Sequence, residues 1–200
     1  MELHVITEEN QQTDDLLRLW PGLVPWVDYF HLRFKSKSQD QVFQIAKKIL
    51  SHNLIPRSSL IINRHMEVAE QLRCGGVHLP EDTADWKIDN HVVAHIRRGR
   101  SVHSLESAIR AESDGMDYIM VGHIFPSRSK PGVPPMGLKR LEKIVAAVKI
   151  PVIAVGGIGP DQVADVMGAG CAGIAVISAV YSHPSPEQAV QQLKRSGEGG

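Results

Sequence analysis

The stretch Asp117-Tyr-Ile-Met-Val-Gly-His-Ile-Phe-Pro-Ser-Arg-Ser-Lys-Pro-Gly132 decides the fold. Tyr118 to Val121 form a bulky apolar run whose length, with its neighbours, suits a buried strand rather than a helix. Where that strand would stop stand His123, Ser127, Arg128, Ser129 and Lys130, a titratable group followed by hydroxyls and cations. That chemistry suits an anionic ligand. Other polar clusters also sit at the ends of apolar runs, so the expectation is a set of parallel strands delivering groups to one rim.

Working outward, seven further runs read as strands: residues 3–7, 26–34, 58–64, 75–80, 97–103, 151–157 and 173–180. Between them, residues 14–24, 38–53, 67–72, 104–112, 137–148, 161–167 and 186–194 have helical character, several with apolar residues at helical spacing, and 81–91 read as a weak helix or loop. Ser104 is a plausible cap for the segment that follows it. Eight strands, each followed by a helix-like segment with no break in composition, is the rhythm of a (β/α)8 barrel, for which about 200 residues is the lower edge. A doubly wound open sheet is the structural alternative, and the count of eight favours the barrel. The reading is one domain over residues 1–195 with a flexible Gly-rich tail, 196–200.

Composition narrows the function. The chain has 22 basic and 22 acidic residues, so no net field draws in nucleic acid or an anionic membrane, and anion binding must be local. Cys74 and Cys171 lie far apart without CxxC spacing and read as reduced, buried thiols. The N-terminus lacks a signal-peptide order, and no apolar run approaches the roughly 20 residues of a membrane span, so a cytoplasmic location is expected.

In a barrel the site lies at the C-terminal rim. Strands two to six would contribute Arg33 with Lys35, Asn63, His78, Ser101 with His103, and His123 with Lys130. If strand two spans 26–34, His31, Arg33 and Lys35 share one face. The last two strands end in Ala154-Val-Gly-Gly-Ile158 and Ala175-Val-Ile-Ser-Ala179. Gly156 and Gly157 can bring backbone N–H groups close to a ligand, and Ile177–Ser178 can open a helix beside them, a pattern suited to phosphate. His123 reads either as a proton-transfer group or as a hydrogen-bonded core residue; its place before a hydroxyl-and-lysine loop favours the first. His78, flanked by Val77 and Leu79, reads as structural, and His31 and His103 stay undecided. Acidic partners for these histidines are scarce, so no metal is expected.

These residues resemble the thiamin phosphate synthase and thiazole tautomerase (TenI) family, a (β/α)8 group, over nearly the whole chain. The resemblance rests on Leu32-Arg-Phe-Lys35, Leu60-Ile-Ile-Asn63, Gly75-Gly-Val-His-Leu79, Ser101-Val-His-Ser-Leu-Glu106 and Val121-Gly-His-Ile-Phe-Pro-Ser-Arg-Ser-Lys130, completed by the two strand endings above. The synthase branch, which joins a pyrimidine pyrophosphate to a thiazole phosphate with Mg²⁺, resembles Asn-Asp-Arg after strand three and Gly-Gln-Glu-Asp after strand four. Here the chain reads Asn63-Arg64-His65 and Pro80-Glu-Asp-Thr83, so a cation replaces the first metal carboxylate. The synthase resembles Gly-Pro-Ile-Phe-Pro-Thr where this chain has Gly122-His123, and the tautomerase resembles Gly-His-Val-Phe.

Both departures imply the tautomerase: an isomerase that aromatises a carboxythiazole phosphate by proton transfer, with no metal and no redox cofactor. On that resemblance His123 moves the proton, and Arg33 or Lys35 holds the substrate carboxylate. Asn63, Ser101, Ser127, Ser129 and Lys130 line the substrate pocket, and Gly156, Gly157, Ile177 and Ser178 hold the phosphate. The competing expectations are a divergent synthase recruiting Mg²⁺ through Glu81 or Asp82, and a non-catalytic barrel that binds a phosphate ligand. A homodimer is compatible with a small barrel.

Overall fold

Strand β1 (Glu2–Ile6) lies between β2 (Tyr29–Leu32) on one side and β8 (Gly173–Val176) on the other, and that pairing closes a ring. The computed structural model describes residues 1–83 and 96–197. The remaining strands are β3 (Leu60–Asn63), β4 (Gly76–Leu79), β5 (Arg97–Val102), β6 (Tyr118–Gly122) and β7 (Val152–Val155). All pairs are parallel and run in chain order around a closed eight-stranded barrel, so the open-sheet alternative is excluded.

Among the described residues every strand except β4 leads into a helix. In order these are α1 (Thr13–Leu23), α2 (Gln39–Ser51), α3 (Met66–Gln71), α4 (Leu105–Ser113), α5 (Leu138–Ala147) and α6 (Pro160–Gly168), then α7 (Ser178–Tyr181) and α8 (Pro186–Ser196). Most of the 81–91 segment, and residues 198–200 of the expected tail, lie outside the described residues. Local chemistry sets several helix starts. Ser38 caps α2 in a reciprocal box with Gln41, and Ser104 does the same for α4 with Ser107. Pro160 opens α6, where its missing N–H leaves no intrahelical bond unmade.

Strand alternation divides the side chains into two layers. Outward residues such as Leu3, Val5, Phe30, Leu32, Leu60, Ile62, Ile119 and Val121 join Leu16, Trp20, Val42, Ile49 and Leu141 of the helices in one continuous apolar layer. Trp20 also donates its indole N–H to the Tyr181 hydroxyl at 3.1 Å, tying α1 to α7. The inward set is smaller and partly polar: Ile6, Tyr118, Met120, Ile153 and Ala175, with His4, His31 and His78 fully or almost fully buried among the strands. Gly99 makes room for one of them, because a Cβ there would stand 2.0 Å from the Tyr118 ring. Below this layer Arg97 lies over both the Tyr29 and Tyr118 rings, at 4.7 and 4.6 Å, and pairs with Glu2 at 2.9 Å.

Six of the eight strands are shorter than their expected runs, β2 and β8 by the most. The 26–34 run forms a ladder only over Tyr29–Leu32, although Val27 and Phe34 are buried. The 173–180 run ends its strand at Val176 and turns into α7. No helix among the described residues is long and apolar enough to cross a membrane, and Cys74 and Cys171 are both buried and free.

Candidate active site

The C-terminal ends of the strands carry most of the polar residues singled out above. Asn63 ends β3, buried at 8 % exposure, with its carboxamide 3.1 Å from Nδ1 of His31. Ser101, on β5, places its hydroxyl 2.9 Å from Nε2 of His78, whose Nδ1 meets the Tyr118 hydroxyl at 3.1 Å. Burial first, then the charges of His4 and Arg33, pushes His78 down to about 3, so this ring is neutral and structural.

Arg33 and Lys35 separate. Because β2 stops at Leu32, the strand alternation that would put Arg33 and Lys35 on one face with His31 does not extend to those two. His31 lies inside the barrel and Arg33 is half-buried, while Lys35 is exposed and its backbone N–H is held by Glu9 at 2.8 Å. Burial lowers Arg33's pKa, the nearby Glu9 carboxylate opposes that, and the positive charge of Arg64 adds to it, so Glu9 and these two guanidiniums share one region of the rim. Among the described residues neither makes an ion pair. Arg64 sits at φ 75°, a left-handed conformation costly for a residue with a Cβ and concentrated at functional positions.

The loop after β6 folds back on its own strand. His123 is buried at 7 % exposure, and its Nε2–H donates to the Val133 carbonyl at 3.1 Å. Its carbonyl accepts from Met136 N–H at 2.9 Å, and that of Ile124 from Gly137 N–H at 3.1 Å. The imidazole therefore staples the 125–137 loop. Ser127 accepts the Ser129 N–H at 3.3 Å inside the same loop, and Ser129 is exposed. Lys130 reaches across the rim to Nε2 of His103 at 3.2 Å. His103 in turn holds Glu81, through its backbone N–H at 3.0 Å and its Nδ1 at 2.5 Å. Residues following β4, β5 and β6 are thus linked. The sequence leaves His103 undecided, and only the folded rim shows Glu81 as its partner.

Gly156 and Gly157 both have positive φ, 96° and 70°. Their missing Cβ atoms leave room for protein as well as ligand: a Cβ on Gly156 would meet Cβ of His123 at 2.3 Å, and one on Gly157 the Pro126 carbonyl at 2.4 Å. The glycine pair seats the β6 loop against the end of β7. Ile177 immediately precedes α7 and Ser178 begins it, where the first backbone N–H groups of a helix have no intrahelical acceptor.

The family model described as thiamine monophosphate synthase (TMP-TENI) matches residues 3–180. A thiamine-phosphate synthase of Pyrococcus horikoshii is 31 % identical over 195 residues, covering 98 % of this chain and 94 % of the relative. One from Chloroflexus aurantiacus is 39 % identical over 163 residues, 81 % and 76 % of the two chains. The structure of a thiamine phosphate pyrophosphorylase from Pyrococcus furiosus superposes with a TM-score of 0.81 at 29 % identity, covering 98 % of this chain and 95 % of that one. These likenesses overturn the expectation of an isomerase. The departures behind that reading are local, at Arg64, Pro80–Thr83 and His123, whereas relatives named as synthases, which are transferases, match across the barrel. His123, bonded to the loop it precedes, has a structural reason to be there without proton transfer.

Proposed function

Since the chain belongs to the thiamine monophosphate synthase (TMP-TENI) family, we propose that it is a transferase joining a pyrimidine pyrophosphate to a thiazole phosphate with release of pyrophosphate. The observation that carries this reading is the likeness to named thiamine-phosphate synthases at 31 % identity over 98 % of the chain. The rim chemistry supports it. Departure of pyrophosphate concentrates negative charge, and fixed cations in a partly dry site stabilise it most effectively. Arg33, half-buried at the end of β2, supplies such a cation, and the exposed Arg64 after β3 and Lys130 after β6 add positive charge at the rim. The thiazole phosphate is assigned to the backbone between Gly156–Gly157 and Ile177–Ser178, with Asn63, Ser101, Ser127 and Ser129 around the rings.

The Mg²⁺ that the synthase resemblance implies has no all-protein cage among the described residues, and Glu81 and Asp82 after β4 are the carboxylates that would hold it beside a substrate pyrophosphate. No group of three His, Cys, Asp or Glu side chains among them could hold a metal. Arg64 brings positive charge to the end of β3, and Glu81 is engaged by His103. No step is therefore drawn through a metal.

The test is to supply both phosphorylated precursors and follow pyrophosphate release together with thiamin phosphate, with Mg²⁺ and with EDTA. Stoichiometric formation of both products in either condition supports the transferase. Absence of both products in both conditions sinks it.

A further inference from the structure

A chain of hydrogen bonds runs up the inside of the barrel from its N-terminal end to the rim. Oε2 of Glu2 is 3.0 Å from Nε2 of His4, Nδ1 of His4 is 2.9 Å from Nε2 of His31, and Nδ1 of His31 is 3.1 Å from the Asn63 carboxamide. His4 and His31 are both 0 % exposed, so water does not complete these contacts. Both nitrogens of both rings are used.

Each link needs one hydrogen, and with any added proton held on His4, the ring beside the Glu2 carboxylate, counting them leaves two solutions. When Glu2 is a carboxylate it cannot donate, so His4 carries Nε2–H. If His4 is neutral its Nδ1 accepts, which places a hydrogen on Nε2 of His31. Neutral His31 then accepts at Nδ1, and Asn63 must turn its NH₂ inward and its oxygen toward the barrel mouth. Adding one proton reverses the upper links. His4 becomes an imidazolium paired with Glu2, its Nδ1–H donates to His31, and Nδ1–H of His31 donates to the Asn63 oxygen. The NH₂ now faces the mouth. With Oδ1 toward His31 the structure has the carboxamide in the orientation of the proton-loaded chain, and because its two ends share one outline the same side-chain position serves the neutral chain with them exchanged.

We infer that Glu2, His4 and His31 form a one-proton switch that sets whether Asn63 presents an acceptor or a donor to the substrate site. The three are positioning residues, and their functional meaning rests on the transferase site proposed above. The groups facing the switch are Glu2 from β1, Asp28 and Tyr29 at β2, His78 from β4, Arg97 from β5 and Tyr118 from β6. Burial dominates and disfavours the imidazolium at His4 and His31, while the Glu2 carboxylate opposes that at His4. The neutral chain is therefore the resting state, and acidification throws the switch. By linkage, a ligand that presents an acceptor to Asn63 draws a proton in, and one that presents a donor expels it.

Heteronuclear NMR of the histidine ring nitrogens and the Asn63 side-chain amide tests this on the full chain without substrate, so its outcome is separate from that of the transferase assay. At neutral pH both rings should show Nε2–H and a bare Nδ1. On acidification His4 should gain its second proton as the Asn63 amide signals move with the same midpoint. A ring with Nδ1–H at neutral pH, an Asn63 amide that ignores the titration, or rings that stay neutral until the protein unfolds would each overturn the switch. In Asn63→Asp the carboxylate cannot donate, so His31 should carry Nδ1–H and His4 both hydrogens already at neutral pH. Wild-type tautomers in that variant contradict the inference, and if the variant does not fold the wild-type titration decides alone.

Discussion

Lys130 donates through Nζ to Nε2 of His103 across 3.2 Å, joining the loop after β6 to the end of β5. Because Nδ1–H of His103 points at Glu81, at 2.5 Å, its Nε2 has a free lone pair for the ammonium. His103→Ala should release Lys130 from the rim. The side chains of His103 and Glu81 are 45 % and 34 % exposed, so stability should change by no more than about 1 kcal/mol. KM for the phosphate-bearing substrates should rise by about three- to tenfold, the worth of one ordinary hydrogen bond. Steady-state kinetics beside a thermal melt separates the two effects.

Gly157→Ala should lower stability and substrate binding together. Its φ of 70° disfavours any side chain, and the new Cβ would stand 2.4 Å from the Pro126 carbonyl. Backbone strain with overpacking corresponds to about 1–3 kcal/mol. A chemical-denaturation midpoint equal to wild type would show that the β6 loop does not rest on this glycine.

How much of this could be read from the sequence depends on range. Short apolar runs bounded by Gly, Pro and polar clusters identify seven of the eight strands, because each run carries its own buried faces, whereas β5 (Arg97–Val102) is mostly polar and carries no such run. Boundaries are poorer where burial continues without a ladder: Phe34 is 4 % exposed yet lies beyond β2, and Val180 is buried on α7 rather than β8. The glycine pair signals a special backbone but not its cause, since the His123 contact closes across 33 residues. The His4–His31 link joins positions 27 apart and depends on strand register, so His4 reads as an ordinary strand residue until β1 pairs with β2. The branch reading failed for the opposite reason. The departures at Arg64 and His123 are local, whereas the likeness to synthases is spread over the whole chain.

Arg33 and Arg64 should matter to the pyrophosphate-bearing substrate. Arg33→Gln, which keeps the length of much of the side chain, should raise KM for the pyrimidine pyrophosphate by about ten- to a hundredfold, the range for a hydrogen bond to a charged group of roughly 1.5–3 kcal/mol. Inhibition by inorganic pyrophosphate should weaken in parallel, while KM for the thiazole phosphate moves less. Equal effects on both substrates would mean that Arg33 organises the rim rather than contacting pyrophosphate. Arg64→Gln should act in the same direction.

The buried histidines should make the fold acid-sensitive earlier than carboxylates would. His78 is pushed from 6.5 down to about 3 by burial and by the charges of His4 and Arg33, and burial also lowers His4 and His31. A base whose folded pKa is depressed binds its proton more readily when unfolded. Its contribution is complete above the unfolded value near 6.5 and is lost as pH falls toward the folded one. Each such ring should cost about 1.4 kcal/mol of stability per pH unit through that window. Denaturant titrations stepped downward from neutral pH should show the slope beginning near the ordinary histidine pKa. In His78→Gln, where the amide can still meet Ser101 and Tyr118 but cannot titrate, the slope should be shallower by one ring's share. An unchanged slope would mean that His78 takes up its proton without leaving the barrel interior.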